Sequence, residues 1–253
     1  MLHDYPNPRQ LGRGPFAILC IWRSGVSSSS YAMEKRKRHG VFFPWTRRVL
    51  LVLLACCIQM IYIPTSNRVA GGIEPKLAID VFPLWSIWVL PYVLCYVFWL
   101  CSIVWIIFKV QDRYFRSFIA GCILTFTIGN IIFILFPTYV PRTPLHGNDV
   151  FTSLLRVIHG HWGRYDAFPS GHVYITAILT FFFIRWYPRY KIFWALILIL
   201  VSFSTLFTGQ HYILDVLGGF AVALMGYQFG LWWAGFLPSQ RRPGKRIAPS
   251  SLH

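Results

Sequence analysis

The sequence predicts an all-α membrane protein, built as a six-transmembrane-helix bundle. Of its 253 residues, 56% are hydrophobic and 13% are charged, whereas a soluble domain usually carries about a quarter charged residues. The apolar residues are gathered into long runs, which is the pattern of helices that cross a bilayer. A globule of this size cannot bury so much apolar surface, so lipid is the expected solvent.

Six apolar runs define the predicted spans, because a helix needs about 20 residues to cross the hydrocarbon core. The runs are 49–63, 81–108, 117–140, 171–187, 192–210 and 213–236. The first run is short unless residues 41–45 extend it. The second contains Pro83 and Pro91 and is long, which predicts a tilt or a kink. Apolar residues at helical spacing over 149–159 predict a further short helix that lies at the membrane interface.

The lysines and arginines predict the orientation of the bundle. Most of them fall in the two tails and in the loops on one side, which indicates that both termini are cytoplasmic (N-in/C-in). Residues 1–44 are then a basic, disordered cytoplasmic tail, in which residues 1–32 are either a natural extension or a wrongly assigned start. Residues 45–237 form the membrane domain, and 238–253 form a second basic cytoplasmic tail.

The net charge of +16 does not indicate nucleic-acid binding, because the cations stand in short clusters between apolar runs. The six cysteines include no Cys-x-x-Cys pair and have no histidine at ligand spacing. We therefore expect small buried side chains and neither a disulfide framework nor a zinc site.

Three polar segments fall at the outer ends of the predicted spans, at 137–142, 168–172 and 209–215. His172 and His211 are 39 positions apart, which corresponds to about 58 Å of helical rise. One crossing and its return, at about 30 Å each, use nearly all of that length. The two histidines are therefore expected at the same depth, at an active site on the outer face.

Two histidines and a carboxylate suit phosphoryl transfer through a phosphohistidine. One imidazole attacks phosphorus, a carboxylate holds that ring, and the other imidazole protonates the departing oxygen. Asp215 follows His211 by four residues, so a helix would place both on one face.

A phosphate group also needs hydrogen-bond donors and positive charge around its oxygens. The sequence predicts the start of a helix at Pro169, Ser170 and Gly171. The free N–H groups at the start of a helix bind anions. Arg142 offers a forked cation for two phosphate oxygens.

These segments resemble the type 2 phosphatidic acid phosphatase superfamily, whose middle motif, Pro-Ser-Gly-His, is intact at 169–172. The final His and the Asp four residues later match His211 and Asp215. The resemblance implies that His211 is the nucleophile, that Asp215 orients it and that His172 is the acid. It also implies that Arg142, Ser170 and Gly171 bind phosphate; the family uses no metal and no organic cofactor.

Two cationic positions of the family pattern are not cationic here. Leu135 stands where a lysine is usual, and Thr205 follows Ser204 where an arginine is usual. The order Pro141, Arg142 resembles a divergent branch that contains inositol phosphorylceramide synthases. The acceptor is therefore open: it is water in a phosphatase and an alcohol in a phosphotransferase.

The expected function is hydrolysis of a lipid phosphate or diphosphate, of the phosphatidic acid or prenyl diphosphate class. The alternative is transfer of a phospho-headgroup to a lipid alcohol. Two further hypotheses come from other classes of protein. One is a transporter, which should carry polar groups in mid-membrane. The other is a metal-dependent hydrolase that uses His and Asp. The partners expected are the lipid phosphate substrate and membrane lipids, with no nucleic acid, in a bacterial plasma membrane.

Overall fold

The computed structural model describes residues 44–66, 71–161 and 165–236, and within these ranges the chain is all-helical, with no β-strand. Two isolated bridges join Thr138 to Ile73 and to Asp166. The helices are α1 Trp45–Met60, α2 Tyr62–Ser66, α3 Val89–Lys109, α4 Asp112–Leu135, α5 Val150–His161, α6 Gly171–Trp186, α7 Lys191–Phe207 and α8 Ile213–Trp233. Short 3-10 turns, Ser86–Trp88 and Pro188–Tyr190, precede α3 and α7. The basic tails predicted for 1–44 and 238–253 lie outside the described residues, apart from Pro44.

Five helical stretches are long and apolar enough to cross a membrane, as expected of an integral membrane protein. They are Trp45–Pro64, Ser86–Lys109, Asp112–Leu135, Pro188–Phe207 and Ile213–Trp233. Helix α6 has 16 residues and is shorter than these five, although it occupies the predicted fourth span. The count of six spans and the N-in/C-in orientation therefore stay predictions.

Two predicted spans are longer than the helices that form. Residues 81–85 are not helical, and the Trp85 N–H donates to the Phe207 carbonyl at the end of α7 (2.9 Å). Residues 136–140 leave the helix at Phe136, and Thr138 then takes part in the two isolated bridges. Both segments continue the apolar composition of the neighbouring helix, so composition alone could not predict where these helices begin or end.

The two prolines of the predicted second span do not interrupt a helix. Pro83 precedes the 3-10 turn, and Pro91 lies in the first turn of α3. The N–H groups in the first turn of a helix have no partner within the helix, so proline, which has no N–H, loses no hydrogen bond there. The tilt or kink expected of this span stays a prediction.

Helices α4, α6 and α8 form the centre of the bundle, and small residues let their backbones approach closely. A Cβ atom on Gly226 would lie 1.9 Å from the Thr125 Oγ1, and one on Gly230 would lie 2.2 Å from the Ser117 carbonyl oxygen. Glycine at these two positions therefore lets α8 pack closely against α4. Asn130 in α4 donates to the Ile58 carbonyl of α1 (2.9 Å), so a side-chain hydrogen bond also joins these two helices.

Two arginines bind the carbonyl ends of helices at the end of the bundle where α1 begins. The buried Arg48 donates to the Ile107 and Val110 carbonyls at the end of α3, at 2.8 and 2.7 Å. Arg113 donates to the Ala234 carbonyl just after α8 (3.1 Å). These are the carbonyls that a helix leaves without partners at its C-terminus.

The short helix predicted over 149–159 is confirmed as α5, and its interfacial position stays a prediction. Its buried Leu155 and Ile158 pack with Val89 and Tyr92 of α3. His159, also in α5, donates from Nε2 to the Thr208 carbonyl (3.0 Å) just after α7. Helix α5 is thereby held over the start of α3 and the end of α7.

Candidate active site

The chain before α6 and the start of α8 are joined by a backbone hydrogen bond. The Ser170 N–H donates to the Asp215 carbonyl oxygen at 2.9 Å. Glycines make this approach possible: a Cβ atom on Gly219 would lie 2.9 Å from the Ser170 carbonyl, and one on Gly218 would lie 2.3 Å from the Phe168 ring. The two histidine motifs therefore meet because α8 has no side chains at these two positions.

His211 and Asp215 form a pair at the start of α8. The His211 Nδ1 lies 3.5 Å from the Asp215 Oδ2, and Asp215 is fully buried. The same carboxylate oxygen accepts the Tyr212 N–H at 2.8 Å. The Asp215 carboxylate therefore lies on the Nδ1 side of the His211 ring, and Nε2 is the imidazole nitrogen that remains for contact with the cavity.

His172 lies in the first turn of α6 and is surrounded by aromatic residues of α3. Its Nε2 is 2.8 Å from the Tyr96 hydroxyl. The Tyr92 and Trp99 rings lie 4.3 and 5.7 Å from the imidazole, centroid to centroid. Trp99 is itself held by a hydrogen bond to Thr176 (3.0 Å), so the wall beside His172 is well packed.

The two imidazole rings face the same cavity, with centroids 6.1 Å apart. A nucleophile attacks from about 3–3.5 Å, so a phosphorus atom between the rings would be within reach of both. The expectation from chain length that the two histidines lie at one depth agrees with this distance.

Arg142 follows α4 in the chain and is held by the connection between α7 and α8. Its Nη1 donates to the Gln210 Oε1 at 2.7 Å. The backbone of that connection is ordered by the Thr205 carbonyl, which accepts the N–H groups of Gln210 (3.0 Å) and His211 (3.1 Å). Arg142, Gln210 and His211 all line the cavity.

The cavity has a volume of about 330 Å³, with a polar end and an apolar end. The polar end contains the groups discussed above. The apolar end lies among α1, α2, α3 and α4, where it is lined by Cys56, Met60, Ile63, Ile103, Phe126 and Phe133. A buried hydrogen bond between Gln59 and Tyr174 (2.7 Å) lies along it. Such a cavity has room for a polar head and part of an apolar chain.

The predicted phosphate ligands Ser170 and Gly171 are at the N-terminus of α6. Gly171 lines the cavity, and the first N–H groups of α6 have no intrahelical partners. Ser170 is fully buried, and its hydroxyl has no hydrogen-bond partner among the described residues. The structure thus brings all six predicted site residues to one place, while their roles stay predictions.

Asp166 is a cavity residue that the sequence did not single out. Its segment is held against Thr138, which accepts the Ala167 N–H at its carbonyl (3.1 Å) and the Phe168 N–H at its hydroxyl (2.7 Å). Burial raises the pKa of the Asp166 carboxyl, while His211 and Arg142 act in the opposite direction. Asp166 therefore belongs to the same cavity wall as His211 and Arg142.

Two further acidic residues hold the start of α8 from outside the cavity. Asp80 is buried and accepts the Ile213 N–H at 2.9 Å and the Leu77 N–H at 2.7 Å. The Tyr212 hydroxyl donates to Glu74. The segment before α3 thus caps the helix that carries Asp215.

The two positions that depart from the family pattern do not contribute to the cavity. Leu135 is 62% exposed, on the outside of the bundle. Thr205 is fully buried, and its hydroxyl donates to the Ser202 carbonyl at 2.8 Å. Arg164, the nearest arginine before the Pro-Ser-Gly-His motif in the sequence, lies outside the described residues.

The described residues contain no group of three or more His, Cys, Asp or Glu side chains arranged to hold a metal ion. The paired His211 and Asp215 therefore have no third ligand of these types in that part of the chain. The expectation of metal-independent chemistry stays a prediction.

The chain matches a protein-family model and is similar to a solved structure. No curated protein matches it. A solved structure that matches is the first transmembrane PAP2-type phosphatidylglycerolphosphate phosphatase from Bacillus subtilis, with 16% identity, coverage of 76% of this chain and 96% of that chain, and a TM-score of 0.39. The model of the PAP2 superfamily matches residues 81–229, which include both histidine motifs and Arg142. The chain belongs to the PAP2 superfamily.

Proposed function

We propose that this PAP2 protein hydrolyses a lipid phosphate or diphosphate through a phosphohistidine on His211. The observation that carries the proposal is the pair of imidazoles 6.1 Å apart across one cavity, with Asp215 3.5 Å behind His211. A residue of the cavity is assigned to each part of the two-step reaction, and the positions of these residues give the order of events.

In the first step, the His211 Nε2 attacks phosphorus and forms an N–P bond. The bond between phosphorus and the leaving oxygen breaks, and His172 gives that oxygen a proton. Asp215 keeps Nδ1 directed away from the cavity and stabilises the positive charge that develops on the ring. Arg142 and the N–H groups at the start of α6 bind the other phosphate oxygens.

In the second step, water attacks the phosphohistidine and the N–P bond breaks. His172, which lost its proton in the first step, accepts one from the water. His211 is restored and phosphate leaves. No metal or organic cofactor takes part in either step.

The substrate enters with its apolar chain still in contact with lipid. The apolar end of the cavity, among α1, α2, α3 and α4, suits the part of the lipid chain next to the head group. We propose that six spans in the N-in/C-in orientation put this reaction at the outer face of a bacterial plasma membrane.

A second candidate is transfer of a phospho-headgroup to a lipid alcohol by the same histidines. The aromatic wall around His172, made by Tyr92, Tyr96 and Trp99, favours it. An acceptor must lose its proton beside His172, and an apolar surface there suits an alcohol with a lipid chain better than it suits water.

Protein purified in detergent separates the two candidates. Phosphate release from phosphatidic acid or a prenyl diphosphate without an acceptor supports hydrolysis, and product that depends on an added lipid alcohol supports transfer. A phosphorus-labelled substrate should leave an acid-labile label on the enzyme, as an N–P bond requires. His211→Ala should abolish label and turnover.

The matched control is His146→Ala, because His146 is exposed and does not line the cavity. This variant should keep full activity. Full activity in folded His211→Ala would end the covalent proposal. Activity that is lost with a chelator and restored by zinc would favour a metal-dependent hydrolase.

A further inference from the structure

The cavity wall contains a buried amide to which the proposed reaction assigns no role. Gln210 lies directly before His211 and lines the same cavity. Its side chain is only 7% exposed, and its Nε2 has no hydrogen-bond partner among the described residues. A buried amide nitrogen without an acceptor costs stability. Its place in the wall of a cavity therefore indicates that a bound ligand supplies the acceptor.

The orientation of the Gln210 amide is fixed by Arg142. The Arg142 Nη1 donates to the Gln210 Oε1 at 2.7 Å. A guanidinium has donors and no acceptor, so the amide oxygen must face Arg142 and the NH2 group must lie on the other side. The backbone is held as well, because the Thr205 carbonyl accepts the N–H groups of Gln210 and His211. The amide cannot exchange its two ends without bringing two donors together.

A second glutamine in the same cavity wall shows the difference. The Gln59 Nε2 donates to the Tyr174 hydroxyl at 2.7 Å, and the Gln59 Oε1 accepts from that hydroxyl at 2.9 Å. Both ends of the Gln59 amide are therefore satisfied inside the protein, along the apolar end of the cavity. At the polar end, Gln210 is satisfied at its oxygen and has its donor unused.

The phosphate group of the proposed reaction has oxygens to match this donor. His211 attacks phosphorus and His172 protonates the leaving oxygen, so three further oxygens of a phosphomonoester remain, and each is a strong acceptor. Among the described residues that line the cavity, Arg142 is the one arginine or lysine. One Arg142 nitrogen is already shared with Gln210. An amide donor beside it would add a hydrogen bond to the phosphate without adding charge.

We infer that Gln210 is a further substrate-binding residue, whose Nε2 donates a hydrogen bond to a phosphate oxygen next to Arg142. The inference rests on the proposed function, because it takes a phosphate group as the ligand at His211. The Gln210 Oε1 has a second effect, since it holds the Arg142 guanidinium in place. The donor acts on the phosphate directly, whereas the oxygen acts only through Arg142, and this difference can be measured.

Binding of inorganic phosphate to protein in detergent, measured by isothermal titration calorimetry, tests the contact without any turnover. Gln210→Met keeps the length of the side chain and removes both polar atoms of the amide. We expect the Kd for phosphate to rise about tenfold, as for the loss of a hydrogen bond to a charged group. Gln228→Met is the matched control, because Gln228 is exposed on α8 and does not line the cavity. Its Kd should equal that of the wild type.

A double-mutant cycle separates the two effects of Gln210. Arg142→Met removes the guanidinium, so Gln210 can no longer act through it. If Gln210 contacts phosphate, adding Gln210→Met to Arg142→Met should raise the Kd again, by at least about threefold. If Gln210 only holds Arg142, the second substitution should leave the Kd as it is in Arg142→Met, and this result would overturn the inference.

Gln210→Glu is a second variant, which keeps an oxygen for Arg142 and has no NH2 group. Its Kd for phosphate should also rise about tenfold or more. Thermal unfolding shows whether each variant is folded. A wild-type Kd in folded Gln210→Met or Gln210→Glu would contradict the inference, as would wild-type protein that does not bind phosphate.

Turnover of p-nitrophenyl phosphate, a small chromogenic ester, distinguishes failure of this inference from failure of the proposed function. In Gln210→Met, kcat/KM for this ester should fall about tenfold, in parallel with phosphate binding. Undiminished release of p-nitrophenolate by folded His211→Ala would refute the proposed function and would leave the calorimetric result unchanged. An unaltered Kd in Gln210→Met, with turnover that still requires His211, would refute the inference alone.

Discussion

The Ser170 N–H donates to the Asp215 carbonyl oxygen across 2.9 Å, and this bond joins the residue before α6 to the first turn of α8. His172 is two residues after the donor, and His211 is four residues before the acceptor. The distance between the two imidazoles is therefore set mainly by how closely the ends of α6 and α8 approach each other. Gly218 and Gly219 are the residues that permit this approach.

Gly219→Ala should separate the two helix ends. The new Cβ atom would lie 2.9 Å from both the Ser170 carbonyl oxygen and the Val173 Cβ. We expect a loss of about 1–3 kcal/mol in stability, as for overpacking elsewhere, and a loss of most activity. The measurements are thermal unfolding in detergent and turnover.

Gly160→Ala is the matched control for this substitution. A Cβ atom on Gly160 would meet nothing within 4 Å, and alanine is the better helix former. Stability and activity should stay as in the wild type. A Gly219→Ala protein with normal turnover would show that the close approach is not required.

Tyr96→Phe should slow the step in which His172 protonates the leaving oxygen. The substitution keeps the ring and removes the hydroxyl 2.8 Å from His172 Nε2, so the imidazole loses a partner that fixes its orientation. We expect kcat for a lipid substrate to fall by up to about tenfold, the effect of one hydrogen bond, with KM nearly unchanged. Release of p-nitrophenolate, which leaves without a proton, should fall less.

The control for Tyr96→Phe is Tyr190→Phe, since Tyr190 is exposed in the turn before α7, away from the cavity. An equal loss for both leaving groups in Tyr96→Phe would indicate a purely structural role for the hydroxyl.

Sequence reasoning located much of the candidate site because the informative residues lie at the ends of apolar runs. Motif identity and chain length suffice to place His172, His211 and Asp215 at one end of a bundle, and the model brings these residues together. The match to the PAP2 superfamily over 81–229 confirms the resemblance; the branch with inositol phosphorylceramide synthases stays a prediction.

The sequence gives a weaker signal for the residues that reach the cavity from other structural elements. Tyr92, Tyr96 and Trp99 follow helical spacing on α3, but an aromatic stripe in a membrane helix looks the same whether it faces lipid or a cavity. Asp166 stands alone in a loop that is bridged to Thr138, and its place in the cavity wall follows from the folded structure. Tertiary contacts, which a single sequence does not contain, decide both cases.

Asp166→Asn should stabilise the protein more at high pH than at low pH. Burial raises the pKa of the Asp166 carboxyl in the folded state, so the ionised form is less favourable there than in the unfolded chain. That cost is absent below the unfolded pKa of about 3.9 and fully present above the raised folded pKa. Asparagine carries no such cost at any pH.

The measurement is the difference in thermal unfolding temperature between Asp166→Asn and the wild type, from pH 4 to pH 8. The difference should grow as pH rises, in favour of the variant. A difference that shrinks with pH would mean that Arg142 and His211, which favour the ionised carboxylate, outweigh burial.

Filling the apolar end of the cavity should affect lipid substrates and spare small soluble ones. Cys56 lines the cavity, whereas the neighbouring Cys57 is exposed on the outer surface of α1. Cys56→Phe should therefore raise KM for a long-chain lipid phosphate by about tenfold or more, because the added ring takes the place of the lipid chain. Release of p-nitrophenolate from its phosphate esters should change by less than about twofold, since these esters need only the polar end. Cys57→Phe makes the same change one residue away and should leave both reactions unchanged. If the two variants affect the lipid reaction equally, the lipid chain does not bind in this cavity.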